Sequence, residues 1–268
     1  MNSDHRDFPS ASSSRPARAP APASCEPFAA LRVAITGGTS GLGLALVREL
    51  ARRGADVAFA ARTRSRVLGL AADLGVHGIT ADVSRKEDIH PLALQVLGAL
   101  GGLDVLINNA SDLGPVPLAL LADTECEDFE RALAANVLGP FRLTRALLGA
   151  LAASAREGRG AVVLNVSSDA AANAYAQWGA YGASKAALAH LSRIWHQELA
   201  PVGVRVLTID PGDMDTPLHA LAVPDADPST LRSPEAAARD LIDAIARALP
   251  ARTHAHQSPV PVSPKVTS

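Results

Sequence analysis

Short apolar, β-branched runs alternate along this chain with longer stretches in which apolar positions recur every three or four residues. The short runs predict strands over 32–36, 56–61, 78–82, 104–108, 161–166 and 204–210. The longer stretches predict helices over 42–53, 86–100, 125–155, 181–200 and 234–249. Thr124 and Glu127 have the spacing of a capping box for the third of these helices, and Ser233 is placed as an N-cap for the last. Strands and helices taken alternately build βαβ units. Six such strands predict one α/β domain, a doubly wound parallel sheet of the Rossmann-like kind. Its ligand crevice lies beyond the carboxyl ends of the strands.

Composition narrows the reading at both ends of the chain. Residues 1–28 are rich in Ser, Pro, Ala and Arg and lack the apolar core of a secretory signal, so they read as a disordered leader. Asp4, Asp7 and the prolines argue against the amphipathic helix of a transit peptide. The domain proper spans 29–250. Pro259, Pro261 and Pro264 mark 251–268 as a loose tail. A formal charge of −2 with scattered arginines lacks the basic face of a nucleic-acid binder. No apolar run approaches the roughly 20 residues of a membrane span. Cys25 and Cys126 lie far apart without metal-ligand spacing, which predicts free thiols, a reducing compartment and a cytoplasmic protein.

Candidate chemistry gathers where the strands end. The first strand runs into Thr36-Gly37-Gly38-Thr39-Ser40-Gly41-Leu42-Gly43, which opens directly into a helix. Glycines there let backbone approach a pyrophosphate, and the helix N-terminus supplies N–H groups and a favourable dipole. Three further marks follow: Asp82-Val83 after the third strand, Asn108-Asn109-Ala110 after the fourth and Pro211-Gly212 after the sixth. Asp82 suits either a bond to adenine or a cap for the next helix. Asn109 and Pro211 suit either a ligand edge or an ordinary turn.

The fifth strand ends in Asn165-Val166-Ser167-Ser168, and thirteen positions after Ser168 comes Tyr181-Gly182-Ala183-Ser184-Lys185. Tyr and Lys four apart share a helical face. A neighbouring ammonium favours phenolate and draws the phenol down from its usual value near ~10, which makes Tyr181 a general acid or base. The chain has only two tyrosines and three lysines, which argues against an accidental pair. Asn136 interrupts an apolar helical stretch, where its amide can bend the helix or hold a water beside Lys185.

Taken in order, TGGTSGLG, the DV at Asp82, NNA, the Asn of AANVLGP, VSS, YGASK and PG resemble the motif set of the short-chain dehydrogenases/reductases over residues 31–249. The resemblance implies a tetrad of Asn136, Ser168, Tyr181 and Lys185. Tyr181 would pass the proton, Ser168 would orient a carbonyl, Lys185 would hold the nicotinamide ribose and Asn136 would support a water relay. It implies a small carbonyl or alcohol substrate, a lid over 214–231 carrying Met214, Leu218, Leu221 and Val223, and a homodimer on the helices over 125–155 and 181–200. Leu133, Val137, Leu188, Leu191 and Trp195 form the apolar stripes of those helices. Tyr175 and Trp178 suit either the substrate site or fold-filling roles. Two departures stand out: Ser111 occupies the usual glycine of NNAG, and no seventh strand is legible after Leu249, which puts the usual tetramer in doubt. Arg62 falls nineteen positions after Gly43, where a carboxylate suits a ribose and an arginine suits a 2′-phosphate. The expected reaction is therefore reduction of a ketone with NADP(H). NAD(H) is possible, in oxidation of a hydroxysteroid or sugar alcohol, and a non-catalytic dinucleotide sensor or scaffold is the other class.

Overall fold

The computed structural model describes residues 28–250. β1 (Arg32–Thr36), β2 (Asp56–Ala61), β3 (His77–Thr80), β4 (Val105–Asn108), β5 (Ala161–Val166) and β6 (Val204–Ile209) form one sheet in the order β3-β2-β1-β4-β5-β6. Every pairing is parallel. The chain winds outward from β1 to β3, then returns to β1 and winds the other way through β4. The switch point between β1 and β4 is where this topology opens a ligand crevice.

The helices are α1 (Gly41–Arg52), α2 (Arg64–Leu74), α3 (Lys86–Leu100), α4 (Cys126–Leu133), α5 (Gly139–Arg156), α6 (Gly179–Leu199), α7 (Pro217–Ala222) and α8 (Pro234–Ala248). Side chains alternate across the sheet. Val33, Ile35, Val105 and Ile107 pack with α1 and α8, while Ala34, Leu106 and Val163 pack with α3 and α5. Each fully buried aliphatic side chain contributes about 1.5–3 kcal/mol, so the sheet is a stiff base for whatever its loops carry. Among the described residues, no helix is long and apolar enough to cross a membrane.

Several sequence expectations need correction. The strand expected over 78–82 is His77–Thr80, because Asp82 turns out of the sheet: its N–H donates to Asp88 Oδ2 and its Oδ1 takes Ser84 N–H at 2.9 Å. The strand expected over 204–210 ends at Ile209, where Asp210 Oδ1 instead accepts the Gly212 N–H. The capping box does not form. A 3₁₀ turn over Leu121–Asp123 directs the Thr124 hydroxyl back to the Leu120 carbonyl, and Glu125 becomes the N-cap of α4 with no side-chain bond. Ser233 does cap α8, accepting from Ala236 N at 3.1 Å. The single helix expected over 125–155 is divided by a π turn, Ala134–Leu138. Pro140 has no N–H to return to the Asn136 carbonyl, so the ladder widens there. Gly139 lets the turn approach the next loop: a Cβ at that position would lie 2.8 Å from the Val83 carbonyl oxygen.

Phe28, assigned above to the leader, is fully buried in the core with Arg53 5.4 Å from its ring centroid. The rest of the expected leader and the tail over 251–268 lie outside the described residues. At the amino ends of the strands Asp104 is completely buried. Its Oδ1 accepts from Arg32 Nη2 and Ser154 Oγ, each at 2.6 Å, and its Oδ2 from Arg159 Nη2 at 2.8 Å and Arg32 N at 2.9 Å. Burial alone would raise this carboxyl. The bonds from Arg159, Arg32 and Ser154 outweigh it and hold the group far below the usual carboxylate range.

Candidate active site

The glycine loop and the Asn109 turn form one interlocked unit at the switch point. Gly37 and Gly38 donate their N–H groups to the Ala60 carbonyl at 2.8 and 3.2 Å. Gly37 sits at φ +72, and a Cβ on Gly43 would come within 2.1 Å of the Gly37 oxygen, so neither position admits a side chain. Asn109 closes the loop from the β4 side: its Nδ2 donates to the Thr36 carbonyl at 2.9 Å. The N–H groups of Asn109 and Ala110 both donate to Thr36 Oγ1 at 3.1 Å. The polar turn is thus a brace for the loop. α1 opens directly from the loop, placing its unpaired N–H groups and positive dipole end at the crevice.

A cavity of about 730 Å³ runs along this edge of the sheet. Its wall includes most of the residues named above for a dinucleotide: Gly37, Thr39, Ser40, Gly41, Leu42 and Gly43, then Arg62, Asp82, Val83, Asn109, Ala110, Pro211 and Gly212. Ser168, Tyr181 and Lys185 line the same space, so the phosphate-sized loop and the Tyr–Lys pair share one cavity. These residues fit a dinucleotide, because the loop leaves only backbone where a Cβ would intrude. Asn136 does not line the cavity; it is buried behind the wall.

α6 begins two residues before Tyr181, which places Tyr181 and Lys185 one turn apart at its start. Both are buried, Tyr181 at 7% and Lys185 at 2% exposure. Lys185 Nζ donates to the Val166 carbonyl at the end of β5, at 2.9 Å, and stands 5.4 Å from the Tyr181 ring centroid. Burial pushes the Tyr181 phenol up to about 12. Hydrogen bonds with the Ser168 and Ser111 side chains act the other way, and the Asp210 and Asp169 charges add to the rise. Burial pushes Lys185 down to about 8, against a smaller opposing pull from Asp210. The expected downward pull on the phenol is therefore reversed here. Desolvation of the ring oxygen is the larger effect, and the ammonium spends its bond on Val166.

Ser168 accepts from Ala170 N at 3.2 Å and donates to Asp169 Oδ1 at 3.0 Å. Asp169 Oδ2 takes the Tyr175 hydroxyl at 2.7 Å, the bond that does most to hold Asp169 below its ordinary value. Tyr175 is therefore tied to the site, and is 46% exposed, so it is not a filler of the fold. Trp178 lines the cavity and lies edge-on to both tyrosine rings, at 6.4 Å from Tyr175 and 5.7 Å from Tyr181. Asn136, in the π turn, uses all of its side-chain capacity. Its Oδ1 accepts from Ser111 Oγ at 3.1 Å and Asp112 N at 2.8 Å, and its Nδ2 donates to Asp112 O at 2.7 Å and Ser184 Oγ at 2.8 Å. Asn136 sits within the π turn, but its amide bonds nothing in its own helix; it pins the loop after β4 to α6.

The sequence reading leaves out several wall residues. Arg66 joins Arg62 beside the end of β2, Asp112 continues the Asn109 turn past Ser111, and Arg131 reaches in from α4. Thr216 caps α7 through His219 N at 3.2 Å, and its Cγ2 lies 3.1 Å from where a Cβ on Gly41 would stand, so α7 sits over the glycine loop. A Thr followed by Pro217 was a readable helix start. Arg131 carries no such local signal. Met214, Leu218 and Leu221 of the expected lid line the cavity, whereas Val223 does not.

A glycine loop at the switch point of a parallel sheet, continuous with a buried Tyr–Lys pair, defines a nucleotide-dependent oxidoreductase. Residues 32–227 match the family model described as short chain dehydrogenase. Human 3-hydroxyacyl-CoA dehydrogenase type-2 is 32% identical over 209 residues, which are 73% of this chain and 78% of that protein. The 3-ketoacyl-(acyl-carrier-protein) reductase of Brucella melitensis, complexed with NADH, superposes with a TM-score of 0.75 at 28% identity over 80% of this chain and 90% of that one. A short chain dehydrogenase from Shigella flexneri, complexed with NADP, gives 0.72 at 26% identity over 78% and 89% of the two chains. The chain belongs to the short-chain dehydrogenase/reductase family, NAD(P)-binding oxidoreductases that act on hydroxyl or carbonyl groups.

Proposed function

We propose that this protein reduces a small ketone with NADP(H), using Tyr181 as proton donor, Lys185 as the cation beside it, Ser168 as the holder of the substrate oxygen and Asn136 as the residue that ties the loop after β4 to the helix carrying Tyr181 and Lys185. The observation that carries the reading is the placement of Tyr181, Lys185 and Ser168 in the cavity that also contains the glycine loop. When bound, the nicotinamide supplies the hydride. Tyr181 stays protonated at neutral pH, since burial pushes it up to about 12, and so it is ready to give its proton to the substrate oxygen. Lys185 faces the resulting phenolate as a cation up to about pH 8. Ser168 turns its hydroxyl from Asp169 to the substrate. Leu113, Trp178, Met214, Leu218 and Leu221 give the substrate an apolar wall, with Asp169 and Arg131 as polar contacts.

The preference for NADP(H) rests on Arg62 and Arg66, which line the cavity where β2 ends in Ala60-Ala61 with no carboxylate. A guanidinium pairs with a 2′-phosphate through charge-assisted bonds. The test is kcat/KM with each cofactor in the native protein and in Arg62→Ala. The expected native preference is for NADPH, and the variant loses about 10- to 100-fold of it, the worth of one bond to a charged group. A native preference for NADH, or an unchanged preference in the variant, contradicts the assignment. The second reading, NAD-dependent alcohol oxidation, takes support for its cofactor alone from the Brucella melitensis reductase complexed with NADH.

The same reading includes a cytoplasmic homodimer on the α4–α5 and α6 faces. Leu138 and Ile194 are exposed there at 41% and 43%, and Leu133, Val137, Leu191 and Trp195 are half-buried. Leu188 is already covered within its own chain and adds nothing to that surface.

A further inference from the structure

The one proton that Ser168 can offer a substrate is already in use. Its Oγ donates to Asp169 Oδ1 at 3.0 Å and accepts the Ala170 N–H at 3.2 Å. A serine has a single O–H, so Ser168 can hold a substrate carbonyl only by leaving Asp169. Asp169 is held in place while Ser168 turns. The Tyr175 hydroxyl donates to its Oδ2 at 2.7 Å, and the Tyr175 ring lies edge-on to Trp178. That bond also holds Asp169 below its ordinary value, so at neutral pH the group is a carboxylate that only accepts. Ser168 and Asp169 line the same cavity. A substrate that draws Ser168 away therefore meets a carboxylate oxygen that has lost its donor, and an apolar group set against that oxygen leaves it unsatisfied.

We infer that Asp169 is a specificity-determining residue and that the substrate is an α-hydroxyketone: its carbonyl oxygen takes the Ser168 hydroxyl, and the hydroxyl on the neighbouring carbon replaces Ser168 on Asp169 Oδ1. The inference rests on the ketone reduction proposed above. Spacing supports it. Ser168 Oγ and Asp169 Oδ1 are 3.0 Å apart, and oxygens on adjacent carbons that face the same way also stand about one hydrogen-bond length apart. In the reaction the nicotinamide hydride forms the new C–H bond at the carbonyl carbon, the C=O π electrons pass to oxygen, and that oxygen takes the Tyr181 proton. The product is a vicinal diol. The substrate hydroxyl keeps its own proton and Asp169 remains a carboxylate, so neither enters the proton balance. A carboxylate on the same substrate carbon would meet the Asp169 charge, which disfavours α-keto acids. The Arg131 guanidinium also lines the cavity, but it is committed to Asp112, Asp128 and the Gly114 carbonyl.

Matched probes isolate the hydroxyl: acetophenone, α-hydroxyacetophenone and α-methoxyacetophenone, with the same series built on butanone. The methoxy compound carries a similar electron-withdrawing oxygen but no proton to donate. In the native protein, kcat/KM is expected to be about tenfold higher for the hydroxyketone than for its methoxy partner. That is the lower end for a hydrogen bond to a charged group, because Asp169 is open to water. In Asp169→Ala the two are expected to become equal. The readout is a ratio, so a general loss of turnover cancels. A merely structural role for Asp169 would lower both compounds alike and leave the native ratio in the variant, which overturns the inference. Equal rates for the hydroxy and methoxy compounds in the native protein overturn it without any variant. Faster reduction of benzoylformate, the corresponding α-keto acid, than of α-hydroxyacetophenone does the same, as does reduction of other ketones with no turnover of either hydroxyketone. In each of these cases hydride transfer to a ketone still stands and the role of Asp169 alone is rejected. Absence of hydride transfer from either nicotinamide cofactor to any ketone rejects the proposed reaction and this inference with it.

Discussion

Two buried ionisable sites sit at opposite edges of the same sheet, and they solve burial in opposite ways. At the amino edge, Asp104 is wrapped by Arg32, Arg159 and Ser154, and its carboxyl is held far below its ordinary value despite complete burial. At the carboxyl edge, Tyr181 and Lys185 are pushed toward their neutral forms, to about 12 and about 8, because burial there exceeds what their neighbours return. A charge whose surroundings repay its desolvation holds the fold together. Groups left with that cost unpaid are poised to exchange a proton when a ligand arrives.

The largest effect expected from this contrast is on stability at the amino edge. Asp104→Ala removes the acceptor for two guanidinium groups and should cost about 3–5 kcal/mol, toward the lower end because Arg32 and Arg159 retain some contact with water. Denaturant unfolding reads the loss, and kcat per folded molecule should stay as it was. The sign of the pH dependence follows from the lowered folded-state value. Asp104 stabilises fully above its unfolded pKa of about 3.9, and that contribution is lost as pH falls toward the folded value. The variant should therefore lack this part of the acid transition. If it unfolds with the native acid profile, Asp104 is not a stabilising charge.

The next effect lies at the other edge. Tyr181→Phe removes the hydroxyl and keeps the ring against Trp178 and Leu113. We expect kcat to fall at least about a hundredfold with cofactor affinity retained, as for a positioned general acid. Near-native turnover would leave the carboxyl edge without its proposed acid.

How much of this is legible in the sequence depends on the range of the contacts. Strand interiors and the glycine loop are legible because alternation, turn and helix onset are local signals. Strand ends are less so: Asp82 and Asp210 leave their strands through bonds made only once Ser84, Asp88 and Gly212 are in place. Asn136 is legible as a polar residue in an apolar stretch, but the π turn around it needs Gly139 seated against the Val83 carbonyl. Ser111 reads as a variant turn residue until folding brings Asn136 to it from 25 positions away. The Asp104 cluster is hidden for the same reason, since Arg32 and Arg159 lie 72 and 55 positions from it. The Tyr–Lys pair is legible at four residues' spacing, yet the direction of its shifts is not, because burial is a property of the whole fold.

The most direct test of the contrast is the unfolding free energy of Lys185→Met beside its turnover. Lowering a lysine from 10.5 to about 8 corresponds to about 3 kcal/mol of strain in the charged form, against about 1 kcal/mol for the bond to Val166 that the variant loses. In the native protein the unfolded chain holds a proton between pH 8 and 10.5 that the folded chain has released, so native stability rises with pH across that window. The account predicts that Lys185→Met is inactive yet about 1–2 kcal/mol more stable near neutral pH, with the advantage shrinking as pH rises through about 8. A variant destabilised as severely as Asp104→Ala would show that Lys185, like Asp104, is a compensated charge, and would contradict the division of the sheet into a structural edge and a chemical one.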